Sequence, residues 1–303
     1  MKVLVLSVGS FVPSHAARRL IEDGNAVFEL DAREIVRGAL GETGARFLLN
    51  ALTSQWCANR KGSSRDDRFQ AVLYVHEPMQ TEMADVAPLP SGLAPIVPVS
   101  LQAALSFALD HSARFVLASV CGRRRDDLPV IMAAESIVNR FVAEHGLHAG
   151  MARLLEVYGP RMPVTGDLSL VGELMEAAVG QQEVALDTEL DACHWPVHVQ
   201  DAVDGVVRLL YSAETRLMTF GGATPYRTRD LIATVEHVAR ADVPVRVTGE
   251  FPIADRRQSA QPLIGEARGA LGWRPRTGLH AGIEDFARHD PRYQREVPVT
   301  TDR

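Results

Sequence analysis

Lysine is nearly missing from this chain. Of its 32 lysine and arginine residues only Lys2 and Lys61 are lysine, so chemistry that needs an ammonium group has few places to come from. Cysteine is scarce too. Cys57, Cys121 and Cys193 are far apart and odd in number, which argues against a disulfide framework and fits reduced thiols in a cytoplasmic protein. No stretch approaches the roughly 18 uninterrupted apolar residues of a membrane span, and a strand pattern begins at Lys2, so neither a span nor a signal peptide is expected. Positive charge is not in excess. The net charge of −6 argues against nucleic acid as a partner. The histidines are scattered and no C-x-x-C pair occurs, so no metal site is expected.

What is present is a large core-forming content, 46% hydrophobic over 303 residues, and a distinctive opening. Lys2 to Leu6 reads as a strand buried on both faces. A small-residue turn follows over Ser7 to Ser14. His15 to Asp23 has helical spacing, with Ala16, Leu20 and Ile21 as its apolar positions, and a second apolar run ends on Asp31. Strand, turn, helix, strand, acid is the order of a dinucleotide-binding βαβ unit. The turn departs from that pattern. A G-x-x-G-x-x-G register places glycines near Ser7, Ser10 and Pro13, and only Gly9 is there, off register. Ser7, Gly9, Ser10 and Asp31 are therefore the vestigial cofactor-binding candidates. Asp31 reads equally well as a ribose ligand or an ordinary turn residue.

Further on, residues 32–52 read as one helix with Ile35, Val36, Leu40, Phe47, Leu48 and Leu49 inward. Residues 58–68 read as an exposed charged loop, and Phe69 to Val75 as the next buried strand. A proline-rich connection covers residues 83–98, with Pro78 just before it, then come a helix at 99–111, a strand at Arg114 to Ser119, a helix at 131–145 and a strand at 149–155. Strands alternating with helices of this length make an α/β, Rossmann-type doubly wound parallel sheet. The expected division is a core over 1–160, a smaller C-terminal substrate lobe over 161–290 interleaved with it, and a flexible tail over 291–303.

Several strings then resemble, in order, the extended short-chain dehydrogenase/reductase family of the NAD-dependent epimerase/dehydratase type. They are the opening βαβ unit with Ser10-Phe11-Val12-Pro13-Ser14-His15, Ala133-Ala134-Glu135 with Phe141 to Leu147, Arg153 to Arg161 (RLLEVYGPR), His198 to Val203 (HVQDAV), and Ala267-Arg268 with Leu271 to Pro275. The resemblance implies hydride chemistry with NAD(P), run by a Tyr-x-x-x-Lys pair and a nearby Ser or Thr. Counting back from Ala133-Ala134-Glu135 puts those positions at Asp127 and Ile131, a shifted alignment puts them at Val130 and Ala134, and neither lysine stands four residues after a tyrosine. Where the family has small residues beside the pyrophosphate, this chain has His76-Glu77. Its pocket asparagine is Glu156, and its Arg-Asp pair is His194-Trp195. Together with Asp187, Glu189 and Asp191 these exchanges disfavour a nucleotide diphosphate sugar as substrate.

Among individual residues, Glu156 is the leading acid/base candidate. Tyr158 lies two residues on along a strand, and the competing reading is a glutamate paired to Arg153 or Arg161. His76 and His194 are the other candidate acids or bases. Ser119 stands near the family's catalytic Ser/Thr, although a strand-end serine bonded to local backbone is the plainer reading. Cys121, close to Arg123 to Arg125, reads as an inert small residue of the pocket. Arg161 and Trp195 complete the pocket set. Three readings stay open: an isomerase, cyclase or lyase acting on a small molecule without a cofactor; a pseudoenzyme partnering an active homologue; and a divergent NAD(P)-dependent epimerase, dehydratase or reductase. A homodimer through a helix pair is the assembly that the resemblance implies.

Overall fold

The computed structural model describes residues 1–37, 41–59, 68–77, 96–122, 127–163, 168–186, 188–248 and 260–293. Most of the charged loop and of the proline-rich connection, Leu40, Asp187 and Arg123 to Arg125 lie outside the described residues. The chain divides into two units, the first made of residues 1–120, 124–153 and 206–218, the second of 121–123, 154–205 and 219–303. No described helix is long and apolar enough to cross a membrane.

The chain opens with β1 (Lys2–Val8), α1 (Phe11–Glu22), β2 (Ala26–Asp31), α2 (Ala32–Arg37), α3 (Gly41–Asn59) and β3 (Ala71–His76). It continues with α4 (Ile96–His111), β4 (Arg114–Cys121), α5 (Asp127–His145) and β5 (Ala149–Leu155). A six-stranded sheet has the order β10 (Leu217–Phe220), β5, β4, β3, β1, β2. β1 pairs in parallel with both β2 and β3, and β3 with β4. This is the doubly wound sheet expected from the sequence. Its winding reverses at β1, with β2 on one side and β3 on the other, and ligands of such folds bind in the crevice beyond the strand ends at that point.

Local sequence explains most boundaries. Val3 to Leu6 are wholly buried because helices cover both faces of their strand. α1 begins four residues before the expected His15. Pro13 stands in its first turn, where a missing N–H costs no intrahelical bond, and Phe11 and Val12 are buried with it. Ile21, expected inside, is 58% exposed at the far end of α1. The single helix expected over 32–52 is two, α3 opening on Gly41 with φ +78, a left-handed conformation that glycine adopts freely. Phe47 was expected in the core and is 72% exposed. The buried stripe of α3 is Ala45, Leu49, Thr53 and Cys57, at four-residue spacing, which leaves Phe47 on the other side. A row of rings, Phe28–Trp56–Phe69–Phe107, with centroids 5.4, 5.7 and 5.4 Å apart, ties β2 and α3 to α4.

The second unit is built from short elements: β6 (Val157–Tyr158), α6 (Leu170–Gly180), β7 (Val184–Leu186), β8 (Cys193–His194) and β9 (Val197–His198). After α7 (Val199–Tyr211) and β10 come β11 (Tyr226–Arg227), α8 (Thr228–Ala239), β12 (Val245–Val247), α9 (Ala260–Leu271) and α10 (Leu279–His289). α8 packs on α6 and on α10. Asp201 accepts from the Arg276 and Thr277 N–H groups at 3.0 and 2.8 Å, while Trp273 Nε1 donates to the Asp201 carbonyl at 3.0 Å. The HVQDAV and LGWRP strings thus hold each other in place. Asp290 accepts from the Arg161 N–H at 2.9 Å and from Arg292 Nε at 2.8 Å, and Tyr293 is buried.

Candidate functional site

The carboxyl edge of the first unit's sheet carries the residues that follow β1, β3 and β4. Gly9 takes φ +104 straight after β1, and α1 starts two residues later with its free N–H groups turned outward. Those groups are already engaged. Glu77, only 2% exposed, accepts from the Phe11 N–H at 3.1 Å and from the Val12 and Ser10 N–H groups. Its own N–H donates to the Val8 carbonyl at 2.9 Å. Burial pushes the Glu77 acid up to about 7, and the three backbone donors offset only part of that rise.

His76 and Ser119 are register partners on β3 and β4 and so face the same side of the sheet. His76 is 6% exposed and Ser119 1%. Neither His76 Nδ1 nor Ser119 Oγ has a hydrogen-bond partner among the described residues. Burial lowers the His76 imidazole to about 4, so it is neutral at physiological pH. Ser119 therefore does not bond to local backbone, contrary to the plainer expectation. Two buried polar atoms left open on one face of a sheet edge suit a ligand that supplies the missing partners.

The remaining first-unit candidates are spoken for. Ser7 Oγ donates to the Gly9 carbonyl at 3.1 Å. Ser10 is the residue before α1 and makes no side-chain cap bond. Both Asp31 oxygens accept from Arg33 Nε at 2.9 Å. Burial alone raises the Asp31 acid, but the hydrogen bonds and charge of Arg33, with Arg37 beyond, outweigh it and hold it below the usual range. That carboxylate is turned to its own helix rather than toward a ribose.

The second unit gathers a different group. Glu156 sits between β5 and β6 with φ +44, a left-handed turn that breaks the strand. The alternation expected to place Glu156 and Tyr158 on one face does not apply there. Glu156 and Arg153 each have a close partner elsewhere. Arg153 pairs with Glu135 at 2.7 and 2.6 Å, whereas Glu156 Oε1 lies 2.7 Å from His194 Nδ1 and Oε2 accepts from the Trp195 N–H at 2.6 Å. His194 Nε2 lies 3.0 Å from Thr228 Oγ1, which donates to the Glu189 carbonyl at 2.7 Å. Thr228 is wholly buried, His194 is 1% exposed and Glu156 4%. With both ring nitrogens engaged and no exposed edge, this relay fastens β8 and the start of α8 to the Glu156 turn. The expected candidates Glu156 and His194 are thus brought together, each bonded to the other within the second unit.

Tyr158 is buried with its hydroxyl against Gly282, and burial raises it further from ionisation. His194 and His198 stand four apart but on separate short strands, and His198 faces Asp285 at 3.2 Å. No group of three metal-ligating side chains gathers among the described residues. Trp195 is core, 3% exposed. Cys121 is half-buried, and its carbonyl accepts from the Glu156 N–H at 3.5 Å. Arg161 is exposed with φ +69. Asp191 pairs with Arg227 at 3.0 Å and with Arg229.

No family model matches the chain. UDP-glucuronic acid decarboxylase 6 of Arabidopsis thaliana is 26% identical over 157 residues, which is 50% of this chain and 45% of that protein. The chain thus spans about half the length of the curated relatives it matches. Among solved structures, the UDP-glucose 4-epimerase of Thermotoga maritima with UDP-glucose superposes with a TM-score of 0.70 at 17% identity, covering 97% of this chain and 99% of that one. The fold is that of the extended short-chain dehydrogenase/reductases. The UDP-glucose 4-epimerase of Thermus thermophilus in complex with NAD gives 0.66 at 18% identity over 95% and 98% of the two chains. MoeE5 in complex with UDP-glucuronic acid and NAD gives 0.64 at 19% over 94% and 97%.

The residues at this chain's carboxyl edge do not fit a dinucleotide. A pyrophosphate needs the N–H groups that Glu77 occupies. Asp127 and Ile131, the positions that the resemblance assigns to the Tyr-x-x-x-Lys pair, lie on α5, and Ile131 is buried.

Proposed function

We propose that this protein binds a small, uncharged polar molecule at the carboxyl edge of the first unit and works on it without a bound dinucleotide, as an isomerase, cyclase or lyase. The observation that carries this reading is the open pair His76 Nδ1 and Ser119 Oγ, buried and register-matched with no protein partner among the described residues. A neutral imidazole beside a hydroxyl polarises a carbonyl or hydroxyl by hydrogen bonding and can relay a proton without placing a charge in the site. Its pKa makes His76 a weak base at neutral pH, so its part is to orient and polarise. The test is a thermal-shift screen of neutral sugars, polyols and hydroxyketones. A ligand that stabilises the wild type and is lost in both His76→Leu and Ser119→Ala supports the reading. A ligand unaffected by either variant counts against it.

A second reading rests on the comparisons. Solved neighbours hold NAD and UDP-sugars, and the curated matches are UDP-glucuronic acid decarboxylases. These favour a divergent NAD(P)-dependent epimerase or decarboxylase acting on a nucleotide sugar, against the sequence-based expectation of no cofactor and no such substrate. Fluorescence and calorimetric titration with NAD, NADH, NADPH, UDP-glucose and UDP-glucuronic acid separates the two. Saturable binding in the tens of micromolar revives this second reading and overturns the first.

A further inference from the structure

The N-terminus of α1 is where the fold offers a ligand its strongest set of backbone donors, and in this chain a side chain has taken them. Glu77 Oε2 accepts from Phe11, Oε1 accepts from Val12, and the Ser10 N–H donates as well. Gly9 makes room for it: a Cβ at that position would stand 2.2 Å from Glu77 Oε2. Among the described residues the only partners of this carboxylate are backbone N–H groups, and no acid stands in the first turn of α1 itself. The carboxylate therefore has the contacts of a bound oxyanion and none of those of an ion pair.

We propose that Glu77 is a built-in anion that fills the phosphate seat at the start of α1, and that removing its carboxylate opens that seat to an external oxyanion such as pyrophosphate. The inference deepens the cofactor-free reading but stands on Glu77, not on His76 and Ser119. Occupation from within also explains why the glycine-poor turn is tolerated. A carboxylate carried by β3 approaches the loop only at Gly9, where a pyrophosphate needs close backbone approach along the whole turn.

The experiment titrates inorganic pyrophosphate into the wild type, Glu77→Ala and Glu77→Gln at pH 7.5 by calorimetry, with circular dichroism to establish folding. Glu77→Ala is expected to bind pyrophosphate at least about tenfold more tightly than the wild type, about 1.4 kcal/mol, and to gain thermal stability from added formate that chloride does not supply. A folded Glu77→Ala that gains no pyrophosphate affinity overturns the proposal. Should that variant not fold, the wild type decides the matter by amide NMR. The Ser10, Phe11 and Val12 amides are expected to titrate together with Glu77, near 7, and to stay unmoved by saturating pyrophosphate. Movement of those amides on adding pyrophosphate overturns the proposal. NAD binding that leaves them unmoved sinks the cofactor-free reading alone, so the two failures are distinguishable.

Discussion

Glu77 in the first unit and Glu156 in the second are both buried, and the two are held in opposite ways. Glu77 rests on backbone N–H groups, which remain in place if the side chain is removed. Glu156 is held by His194, itself buried and itself bonded onward to Thr228. The first arrangement is a socket, since its donors accept any small anion of the right shape. The second is closed, because deleting either member leaves a polar group buried without its partner. Burial alone does not tell a functional position from a structural one. What matters is whether the partners survive the loss of the side chain.

The largest effect expected from breaking this contrast is in the second unit. His194→Ala should cost about 3–5 kcal/mol of stability, the usual cost of stripping one partner from a buried pair, read as a fall in the urea midpoint. Glu77→Ala with formate present should fall by much less. If the two losses are equal, the contrast fails.

Next in size is the pH response. Glu77 sits near 7 in the folded protein against an ordinary 4.5, so the folded state keeps a proton that the unfolded chain has released. Its contribution is full below about 4.5 and is lost as pH rises through about 7, on the order of 3 kcal/mol. His76, lowered from 6.5 to about 4, acts in the other direction: its contribution is full above 6.5 and is lost as pH falls toward 4. The stability of the wild type relative to Glu77→Gln should therefore decline from pH 4.5 to 7.5, and the variant alone should show the His76 slope. Urea midpoints across that range would expose a flat difference, which contradicts the account.

Gly9→Ala sharpens the socket itself. The substitution meets both a positive φ and the Glu77 carboxylate, and should cost about 1–3 kcal/mol. Part of the loss should return in the Gly9→Ala, Glu77→Ala double variant, because the steric share belongs to Glu77 and the backbone share does not. Independent, additive losses would mean the two do not touch. The smallest expected change is a control for pairing without burial. Arg46 and Asp110 meet at 2.6 Å with both side chains well exposed, and Arg46→Ala should shift stability by less than about 1 kcal/mol.

Much of the fold was legible because it rests on periodicity. The runs of β1, β3 and β4 and the helices between them set the parallel sheet, and Asp31 does end β2. The misses are of a different kind. Ile21 and Phe47 were placed inside on their chemistry, whereas the apolar stripe of a helix is decided by its neighbours in space. The His194 that Glu156 meets lies 38 residues along the chain, beyond what local spacing in the sequence reveals. One signal was there to be used. Glu156 and His194 were both departures from the same expected pocket, and an acid and a histidine exchanged together suggest a pair. The left-handed turn at Glu156 has no such trace, since glutamate carries no preference for it. At Glu77 the obstruction to a phosphate was readable from residue type; its seating on the α1 N–H groups needed the geometry.

The row Phe28–Trp56–Phe69–Phe107 has a practical consequence. Trp56 is the first unit's own tryptophan, while Trp195 and Trp273 both belong to the second. Emission from Trp56→Phe then follows the second unit alone, and subtracting it from the wild-type signal isolates the first. Trp195, whose amide is bonded to Glu156, and Trp56, wedged between two phenylalanine rings, are natural lamps for watching whether the two halves melt as one or in turn.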